Sequence, residues 1–346
     1  MKYTKLGRTG TKVSRLCLGT MNFGPRTSEA DSHRIMDRAI ELGINFFDTA
    51  NRYGAEVETG YTESIIGRWL AKSGRRDEIV LATKFFGPMG PGANDEGLSL
   101  YHMRAAVHAS LTRLQTDRID LYQMHHIDRG LPHPKSPKTY LEGDLSNLVY
   151  PTHLKPGTPW EEIWQGYQQL ITEGKVLYAG SSNFAAWNIV QANERAAARS
   201  MLGLVTEQSK YSLMTRDIEL ELVPACREYG VGILPWSPLG GGALAGSAHD
   251  DGSGRRSGRD YDEATQKRRE AFADVAKSLG EEPPVVALAW LLHNPVVTAP
   301  IIGPRTIDQL DSAARAINLE LDAEVMQKID AIFPGPGDQA PEAYAW

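Results

Sequence analysis

Four side chains have the types and the order that proton transfer to a carbonyl oxygen requires. They are Asp48, Tyr53, Lys84 and His125. A tyrosine has an ordinary pKa of about 10 and is a poor acid at neutral pH, but a nearby ammonium favours its phenolate and lowers that pKa. Lys84 can supply the ammonium, Asp48 can keep it charged and oriented, and His125 can polarise a carbonyl by a hydrogen bond. The set predicts reduction of a carbonyl to an alcohol, provided that the fold brings its members together.

Short apolar segments alternate with longer segments of helical periodicity along most of the chain. The predicted strands are residues 16–18, 45–48, 79–84, 120–125, 176–181, 204–209, 232–235 and 298–302. The predicted helices are residues 28–42, 62–72, 99–114, 160–173, 185–199, 219–229, 283–293 and 308–318. This alternation predicts an α/β fold in which a parallel sheet closes into a (β/α)8 TIM barrel. Active sites of such barrels lie at the C-terminal ends of the strands. Asp48, Lys84 and His125 end three of the predicted strands, and Tyr53 lies in the loop after Asp48.

The predicted barrel carries additional segments at both of its faces. Residues 3–13 predict two short strands around a turn, an N-terminal β-hairpin that can plug the bottom of the barrel. No linker divides the chain, so residues 1–346 are expected to form a single domain. Two loops are longer than connections in compact domains usually are: an insertion at 130–159 after the fourth strand, and residues 240–260. We expect long loops at the C-terminal face, and loops of this length are usually either functional or disordered.

The overall composition is that of an ordinary globular protein. The chain has 346 residues, of which 41% are hydrophobic and 23% charged, and its net charge of −6 disfavours a nucleic-acid partner. No apolar run approaches the ~18 residues of a membrane span, and the N-terminal segment MKYTKLGRTG lacks the features of a signal peptide. Cys17 and Cys226 lie far apart in apolar contexts and predict buried thiols in a reducing compartment. We therefore expect a cytoplasmic protein with no membrane partner.

Eight sequence stretches carry a resemblance to a known family. They are RLCLGTMNFG (15–24), GINFFDTANRYG (43–54), ATKFFG (82–87), DLYQMHH (120–126), GKVLYAGSSNF (174–184), EQSKYSL (207–213), LPWSPLGGGALAG (234–246) and PIIGPRTIDQL (300–310). The Asp-Thr-Ala-x-x-Tyr-Gly and Gly-x-Ser-Asn-Phe elements are specific in this order, and the chain resembles the aldo-keto reductases almost end to end. The resemblance implies an NADP(H)-dependent oxidoreductase that acts on a small-molecule carbonyl substrate. It also implies a catalytic tetrad of Asp48, Tyr53, Lys84 and His125.

The same resemblance implies an NADP(H) site without a Rossmann fold. Ser182, Asn183 and Gln208 match the residues that hold the nicotinamide carboxamide, and Trp236 matches the aromatic that stacks on the nicotinamide ring. Arg305 matches the segment around the adenosine phosphate, where a guanidinium can pair with the 2′-phosphate. The implied cofactor residues are Gly19, Thr20, Met21, Asp48, Ser182, Asn183, Gln208, Trp236, Ser237, Pro238, Leu239, Gly241, Gly246, Ile302, Gly303, Arg305 and Gln309. The implied substrate contacts are Phe23, Phe85 and His126, and no metal is predicted.

Within the family, the chain is most similar to the actinobacterial branch that includes nucleotide-deoxysugar reductases. The stretches QMHHIDR, GSSNFAAW, PIIGPRT and LDAEVMQKIDAIFP carry that similarity. The 130–159 insertion, with six prolines, stands where those relatives are short. We therefore expect it to form a wall of a pocket for a bulky substrate; the alternative is a decorative surface loop. Family members often have an acidic residue and an asparagine after the equivalent of Gln309, but Asp311, Ser312 and Ala313 follow here, so adenine contacts are implied only as far as Gln309.

Two other functional classes share part of this pattern. Regulatory subunits of the potassium-channel β type keep the barrel and bind NADP, but their additional N-terminal inactivation segment has no counterpart, because the barrel pattern begins near residue 1. A metal-dependent hydrolase is disfavoured because no His-x-His follows the first strand. His125 and His126, as neighbours on a strand, are also expected to point to opposite faces. The candidate substrates of a reductase are keto-sugar nucleotides, bulky cyclic ketones and small aldehydes, and the oligomeric state has no signal in the sequence.

Overall fold

The computed structural model describes residues 1–128, 157–245 and 261–337. In chain order the strands are β1 Tyr3–Lys5, β2 Lys12–Ser14, β3 Cys17–Gly19, β4 Phe46–Asp48, β5 Val80–Phe85, β6 Ile119–Met124, β7 Val176–Ser182, β8 Leu204–Gln208, β9 Gly232–Ile233 and β10 Ile301–Ile302. The helices are α1 Glu29–Glu41, α2 Tyr61–Ser73, α3 Leu100–Leu114, α4 Trp160–Thr172, α5 Ala186–Ala197, α6 Leu222–Glu228, α7 Glu263–Ser278, α8 Pro283–His293, α9 Ile307–Arg315 and α10 Ala323–Ile332. Short 3-10 turns occupy Arg76–Glu78, Asp217–Glu219 and Gly240–Gly242.

Eight parallel strands form the central sheet in the order β10-β3-β4-β5-β6-β7-β8-β9. Backbone hydrogen bonds join the two ends of this order. Ile233 donates to Val296 O at 2.9 Å and accepts from the amide of Thr298 at 2.9 Å, and Ile301 donates to Pro235 O at 2.9 Å. With helices between successive strands, the sheet forms the predicted (β/α)8 barrel.

The predicted N-terminal hairpin is confirmed, and it seals one end of the barrel. Strands β1 and β2 pair antiparallel. Leu6 and Val13 from this hairpin are fully buried in a cluster with residues that point into the barrel. The other members of that cluster are Cys17, Phe46, Ala82, Leu121, Val205, Leu234 and Ala299. The close approach depends on Gly7, which has a φ of 54° and whose added Cβ would lie 2.0 Å from Val205 O. A side chain at this position would push the hairpin out of the barrel.

Side-chain caps set the starts of several helices. The hydroxyls of Ser28, Ser99 and Thr306 accept hydrogen bonds from the backbone amides three residues further on, at 3.1, 3.2 and 3.3 Å. Each satisfies one of the amides that the first turn of a helix leaves unpaired. The structure adds α7 and α10 to the eight helices that the sequence predicts. Only two residues of α7 are buried, so its apolar periodicity is weak. In α10, Ile329 is buried and Val325, Met326 and Ile332 pack against the core, a helical spacing that could have indicated this helix.

The predicted insertion falls almost entirely on residues 129–156, which lie outside the described residues. Its two flanks meet directly. The carboxylate of Asp128 accepts hydrogen bonds from the Thr158 amide at 3.2 Å and the Thr158 hydroxyl at 2.5 Å, and from the Leu98 amide at 3.3 Å. The barrel framework therefore holds both ends of the insertion together. Among the described residues, no helix is long and apolar enough to cross a membrane.

Candidate active site

The C-terminal rim of the barrel brings together Asp48, Lys84 and Tyr53. The Lys84 ammonium, which is fully buried, lies 2.6 Å from Asp48 Oδ2 and 3.2 Å from the Tyr53 hydroxyl, and it also donates to Thr49 O at 2.8 Å. Burial alone would lower the pKa of Lys84, but the charges of Asp48 and Tyr53 and their hydrogen bonds outweigh this effect and raise the pKa. The lysine is therefore a buried cation whose charge faces the tyrosine oxygen.

Strand alternation explains why polar side chains meet at this depth. Phe46, Ala82 and Leu121 lie in the apolar cluster inside the lower barrel. The residues two positions further along each strand are Asp48, Lys84 and Gln123. Because side chains two residues apart in a strand point to the same face, these three polar residues form the next layer up inside the barrel.

Two buried glutamines complete the surroundings of Asp48. Gln123 Nε2 and Gln208 Nε2 both donate to Asp48 Oδ1, at 3.0 and 2.9 Å, while Lys84 occupies the other oxygen. Gln208 Nε2 also lies 3.3 Å from Gln123 Oε1. A carboxylate only accepts hydrogen bonds, so the Gln208 amide nitrogen must face Asp48 and its oxygen must point away. Gln123 is absent from the predicted site, although its position two residues before His125 and level with Lys84 in the sheet could have indicated it.

His125 lies just beyond β6, with its ring centroid 6.0 Å from that of Tyr53 in an edge-on arrangement. Burial lowers its pKa well below the ordinary range, and the nearby charges of Lys84, His126 and Arg52 lower it further. The imidazole is therefore neutral at neutral pH. Within the described residues no group hydrogen-bonds to the ring, so one ring N–H can serve a bound oxygen.

The expectation that His125 and His126 point to opposite faces is wrong. The strand ends at Met124, so both histidines lie in a bend where the alternation no longer applies. Their rings stack in parallel, with centroids 5.1 Å apart and planes 4° apart. The described residues nevertheless contain no group of three or more His, Cys, Asp or Glu side chains placed to hold a metal ion. His126 also meets the half-buried ring of Phe86 edge-on at 5.4 Å.

Phe23 and Phe85 do not line a pocket, which corrects their prediction as substrate contacts. Both are completely buried in the large core cluster outside the sheet. Because Lys84 points into the barrel, its neighbour Phe85 points outward, where it stacks on Tyr122 with centroids 4.6 Å apart. The aromatic side chain at the rim is instead that of Phe86, which the prediction missed.

The residues predicted for the nicotinamide end form one hydrogen-bonded group. Asn183 Nδ2 donates to His125 O at 3.2 Å and to Ser182 Oγ at 2.9 Å, and its Oδ1 accepts from the Trp236 indole at 3.0 Å. Asn183 has a φ of 61°, a left-handed conformation that asparagine tolerates better than most residues. Gln208 adds an amide oxygen to which no described residue donates. A carboxamide needs such an acceptor, and the half-buried Trp236 ring offers a stacking face, so these residues fit a nicotinamide.

The other predicted cofactor residues come from three segments around the rim. Gly19 ends β3, and Thr20 and Met21 follow it; Thr20 donates to Asp48 O through both its amide, at 3.0 Å, and its hydroxyl, at 2.9 Å. The second segment follows Trp236 and contains Ser237, Pro238, Leu239 and Gly241, with positive φ angles at Ser237 and Gly241. The third contains Ile302, Gly303, Arg305 and Gln309. Gln309 Oε1 accepts from the Arg305 amide at 2.8 Å, so its oxygen is already engaged within the loop. Gly246 lies outside the described residues.

A buried carboxyl group lies directly behind the nicotinamide residues. Glu207, between Thr206 and Gln208 on β8, is fully buried. Its oxygens accept from Ser181 Oγ at 2.5 Å, Ser209 Oγ at 2.7 Å and the Phe184 amide at 3.1 Å. Burial raises the pKa of Glu207 from its ordinary value of 4.5 to about 7, although these hydrogen bonds oppose the rise. The carboxyl thus ties together the segments that carry Ser182, Asn183 and Gln208.

Comparison with known proteins places this site in a family. The sequence model of the aldo/keto reductase family matches residues 15–333. The chain belongs to the aldo/keto reductase family. It is 50% identical, over the full length of both chains, to the uncharacterized oxidoreductase YrpG of Bacillus subtilis (strain 168). It is 32% identical to the norsolorinic acid reductase stcV of Emericella nidulans, over 94% of this chain and 79% of that protein. It is also 30% identical to a protein of Schizosaccharomyces pombe named for a voltage-gated potassium channel subunit beta, over 95% of this chain and 92% of that one.

Proposed function

We propose that this aldo/keto reductase uses NADPH to reduce a ketone or aldehyde to an alcohol, with Tyr53 as the proton donor. The observation that carries the proposal is the position of the Lys84 ammonium, 2.6 Å from Asp48 and 3.2 Å from the Tyr53 hydroxyl. A buried cation beside a phenol stabilises the phenolate that remains once the proton has left. Family membership and the names of the relatives support an oxidoreductase.

Each side chain of the rim has a separate part in the proton transfer. Tyr53 gives its hydroxyl proton to the carbonyl oxygen, and Lys84 stabilises the resulting phenolate. Asp48 keeps Lys84 charged and in place, and it is itself held by two glutamine amides. His125, being neutral, donates a hydrogen bond to the same oxygen without adding a charge. The reverse oxidation uses these residues in the opposite order.

The cofactor residues support NADP(H) as the redox partner. When bound, NADPH supplies the hydride that reaches the carbonyl carbon. Ser182, Asn183 and Gln208 would hold its carboxamide, and Trp236 would pack against its ring. Arg305 would pair with the 2′-phosphate and give a preference over NADH. A bulky carbonyl compound, such as a keto-sugar of the kind that deoxysugar reductases use or a cyclic ketone, remains our predicted substrate.

The decisive experiment is the Tyr53→Phe variant. It keeps the ring and removes only the proton donor, so the rate of carbonyl reduction should fall by on the order of 10²–10⁴ while NADPH affinity stays nearly unchanged. Stopped-flow absorbance would measure the reduction, and cofactor fluorescence the affinity. Tyr101→Phe is a matched control, because Tyr101 is 70% exposed on α3. Activity of Tyr53→Phe within a few-fold of the wild type would contradict the assignment.

The similarity to the channel-subunit relative supports a second candidate, an NADP-binding regulatory subunit. The same measurements separate the two. A wild-type protein that binds NADPH tightly but turns over none of a broad panel of aldehydes and ketones would favour the regulatory role. The aligned lysine, tyrosine and histidine favour the enzyme, because binding a cofactor alone does not require a proton donor.

A further inference from the structure

An arginine at the rim of the candidate active site has no partner among the residues that the structure describes. Arg52 directly precedes Tyr53 in the loop after β4 and is half-buried. Within the described residues, no hydrogen bond, ion pair or ring contact engages its guanidinium. Other partly buried arginines of the barrel are engaged. Arg15 and Arg269 donate to the backbone oxygens of Leu292 and Ala243, and several others pair with carboxylates. The pairs are Arg76 with Asp120, Arg113 with Glu63 and Arg216 with Glu219. An unpaired guanidinium in a partly buried position therefore stands out, since withdrawing a charge from water without a partner is unfavourable.

The described carboxylates nearest to Arg52 in the chain do not pair with it. Glu56 and Glu58, further along the same loop, are exposed and form no ion pair with the guanidinium. Asp48 is held by Lys84, Gln123 and Gln208. Asp128 accepts from the Leu98 amide and from Thr158. Neither can neutralise Arg52 without giving up buried hydrogen bonds. Within the part of the rim that the structure describes, the charge of Arg52 is therefore not paired with a carboxylate, whereas Lys84 and Asp48 balance each other.

The fold also makes room for this side chain. Gly87 follows β5 on the same rim, and a Cβ added to it would lie 2.6 Å from Arg52 Cδ and 3.2 Å from Arg52 Nη1. A side chain at position 87 would have to displace the end of the arginine. The absence of a side chain at Gly87 leaves the space that the end of Arg52 occupies, so the guanidinium lies beside the backbone of residue 87.

The position of Arg52 relative to the chemistry follows from the chain, because Arg52 directly precedes Tyr53 and its side chain lies beside Gly87, three residues after Lys84. The charge of Arg52 is one of those that lower the pKa of His125, so the two groups are within electrostatic reach of each other. Tyr53 and His125 define where the carbonyl oxygen must lie. A substituent on the same small molecule, a few bonds from the carbonyl carbon, can therefore reach Arg52.

We propose that Arg52 is a specificity-determining residue that binds an oxyanion, either a carboxylate or a phosphate ester, on the carbonyl substrate. The planar guanidinium matches both groups through two parallel hydrogen bonds. The proposal rests on the reductase function proposed above and names the substrate class for that site: carbonyl compounds that carry a negative charge.

Three para-substituted benzaldehydes test the proposal with the size and reactivity of the ring kept similar. Methyl 4-formylbenzoate is neutral, 4-formylbenzoate carries a carboxylate, and 4-formylphenyl phosphate carries a phosphate ester. The readout is the ratio of kcat/KM for each anion to kcat/KM for the neutral ester, with NADPH as cofactor. Arg52→Gln should lower this ratio by about 10-fold or more, because a charge-assisted hydrogen bond to a half-buried group is lost. Arg52→Lys keeps the positive charge but loses the two parallel N–H donors of the guanidinium, so it should give an intermediate ratio.

Arg227→Gln is the matched control, because Arg227 is exposed on α6 and its loss changes the net charge by the same amount. The larger of the two anion effects identifies the carboxylate or the phosphate as the preferred group. Ratios that are equal in the wild type and Arg52→Gln would overturn the proposal, and so would an equal fall in Arg227→Gln. If the wild type reduces none of the three aldehydes, the reductase function fails instead. Calorimetric binding of 4-formylbenzoate to the NADPH-loaded wild type and Arg52→Gln then still decides whether the anion site exists.

Discussion

Replacing Glu207 by glutamine should remove a pH dependence from the stability of the barrel. The carboxyl group is fully buried, and its pKa is raised to about 7 in the folded chain, whereas an exposed glutamate titrates at 4.5. Between these two values the folded protein binds more protons than the unfolded chain. The free energy of unfolding must therefore fall as the pH rises through this window. Below it both states are protonated, and above it the ionised carboxylate remains buried at a constant cost.

The size of the effect follows from the pKa itself. One pKa unit corresponds to about 1.4 kcal/mol, so the full rise is worth about 3 kcal/mol, of which about 2–3 kcal/mol falls between pH 5 and pH 8. Glutamine can keep the local hydrogen bonds. Its oxygen can accept from Ser209 Oγ and the Phe184 amide, and its Nε2 can donate to Ser181 Oγ, whose own proton can turn to Thr206 O at 3.4 Å. Glu207→Gln should therefore fold. Its free energy of unfolding, relative to that of the wild type, should be higher at pH 8 than at pH 5.

Urea unfolding followed by tryptophan fluorescence at several pH values between 5 and 8 would measure the difference in unfolding free energy between the variant and the wild type. Using this difference cancels the titration of groups that both proteins share. Glu320→Gln is the control, since Glu320 is exposed and the chemical change is the same. A difference between Glu207→Gln and the wild type that stays constant from pH 5 to pH 8 would refute the reasoning, because it would mean that Glu207 titrates alike in both states.

Three further predictions concern packing, cofactor choice and the insertion. Gly67→Ala should destabilise the barrel by roughly 1–3 kcal/mol in the same urea assay, because the added Cβ would lie 2.0 Å from Arg113 O, where α2 meets α3. The control Gly10→Ala should be nearly neutral, because the added Cβ would have no atom within 4 Å. Arg305→Ala should weaken NADPH binding by roughly 10- to 150-fold and change NADH binding little, as measured by fluorescence titration, and equal losses for both would indicate a structural role. Replacing residues 130–156 with a short turn should preserve turnover of a small aldehyde and lower kcat/KM for a bulky cyclic ketone; unchanged kinetics on the ketone would exclude a pocket wall.

Much of the fold was predictable because the signals are local. The eight predicted helices each overlap an observed one, and the eight barrel strands lie where apolar segments indicated them. The strand boundaries were less predictable. Segment 298–302 contributes only Ile301–Ile302 to the sheet, and 232–235 only Gly232–Ile233, because pairing at the barrel closure depends on hydrogen bonds to residues far away in the chain. Local residue preferences carry no information about such partners.

The sequence by itself determined which residues are candidates for the chemistry. The order of Asp48, Tyr53, Lys84 and His125 along a strand–helix alternation was sufficient to place them on one rim, because parallel barrels gather the C-terminal ends of their strands. The sequence motifs also supported the resemblance to the family and the prediction of the nicotinamide-binding residues. They could not distinguish a residue at the rim from one in the core next to it, which is why Phe23 and Phe85 were assigned to the substrate and lie buried instead.

Only the tertiary structure decided which neighbours surround these candidates. Gln123 supports Asp48, and Glu207 lies behind the nicotinamide residues. Arg52 lies beside Gly87, without a partner in the described part of the chain. Each of these features is a relation between segments that are distant in the chain and that meet only when the barrel closes and its rim loops pack. The energy of a charge or an amide depends on burial and on the partners within about 3 Å, and those are properties of the packed fold that no single segment contains.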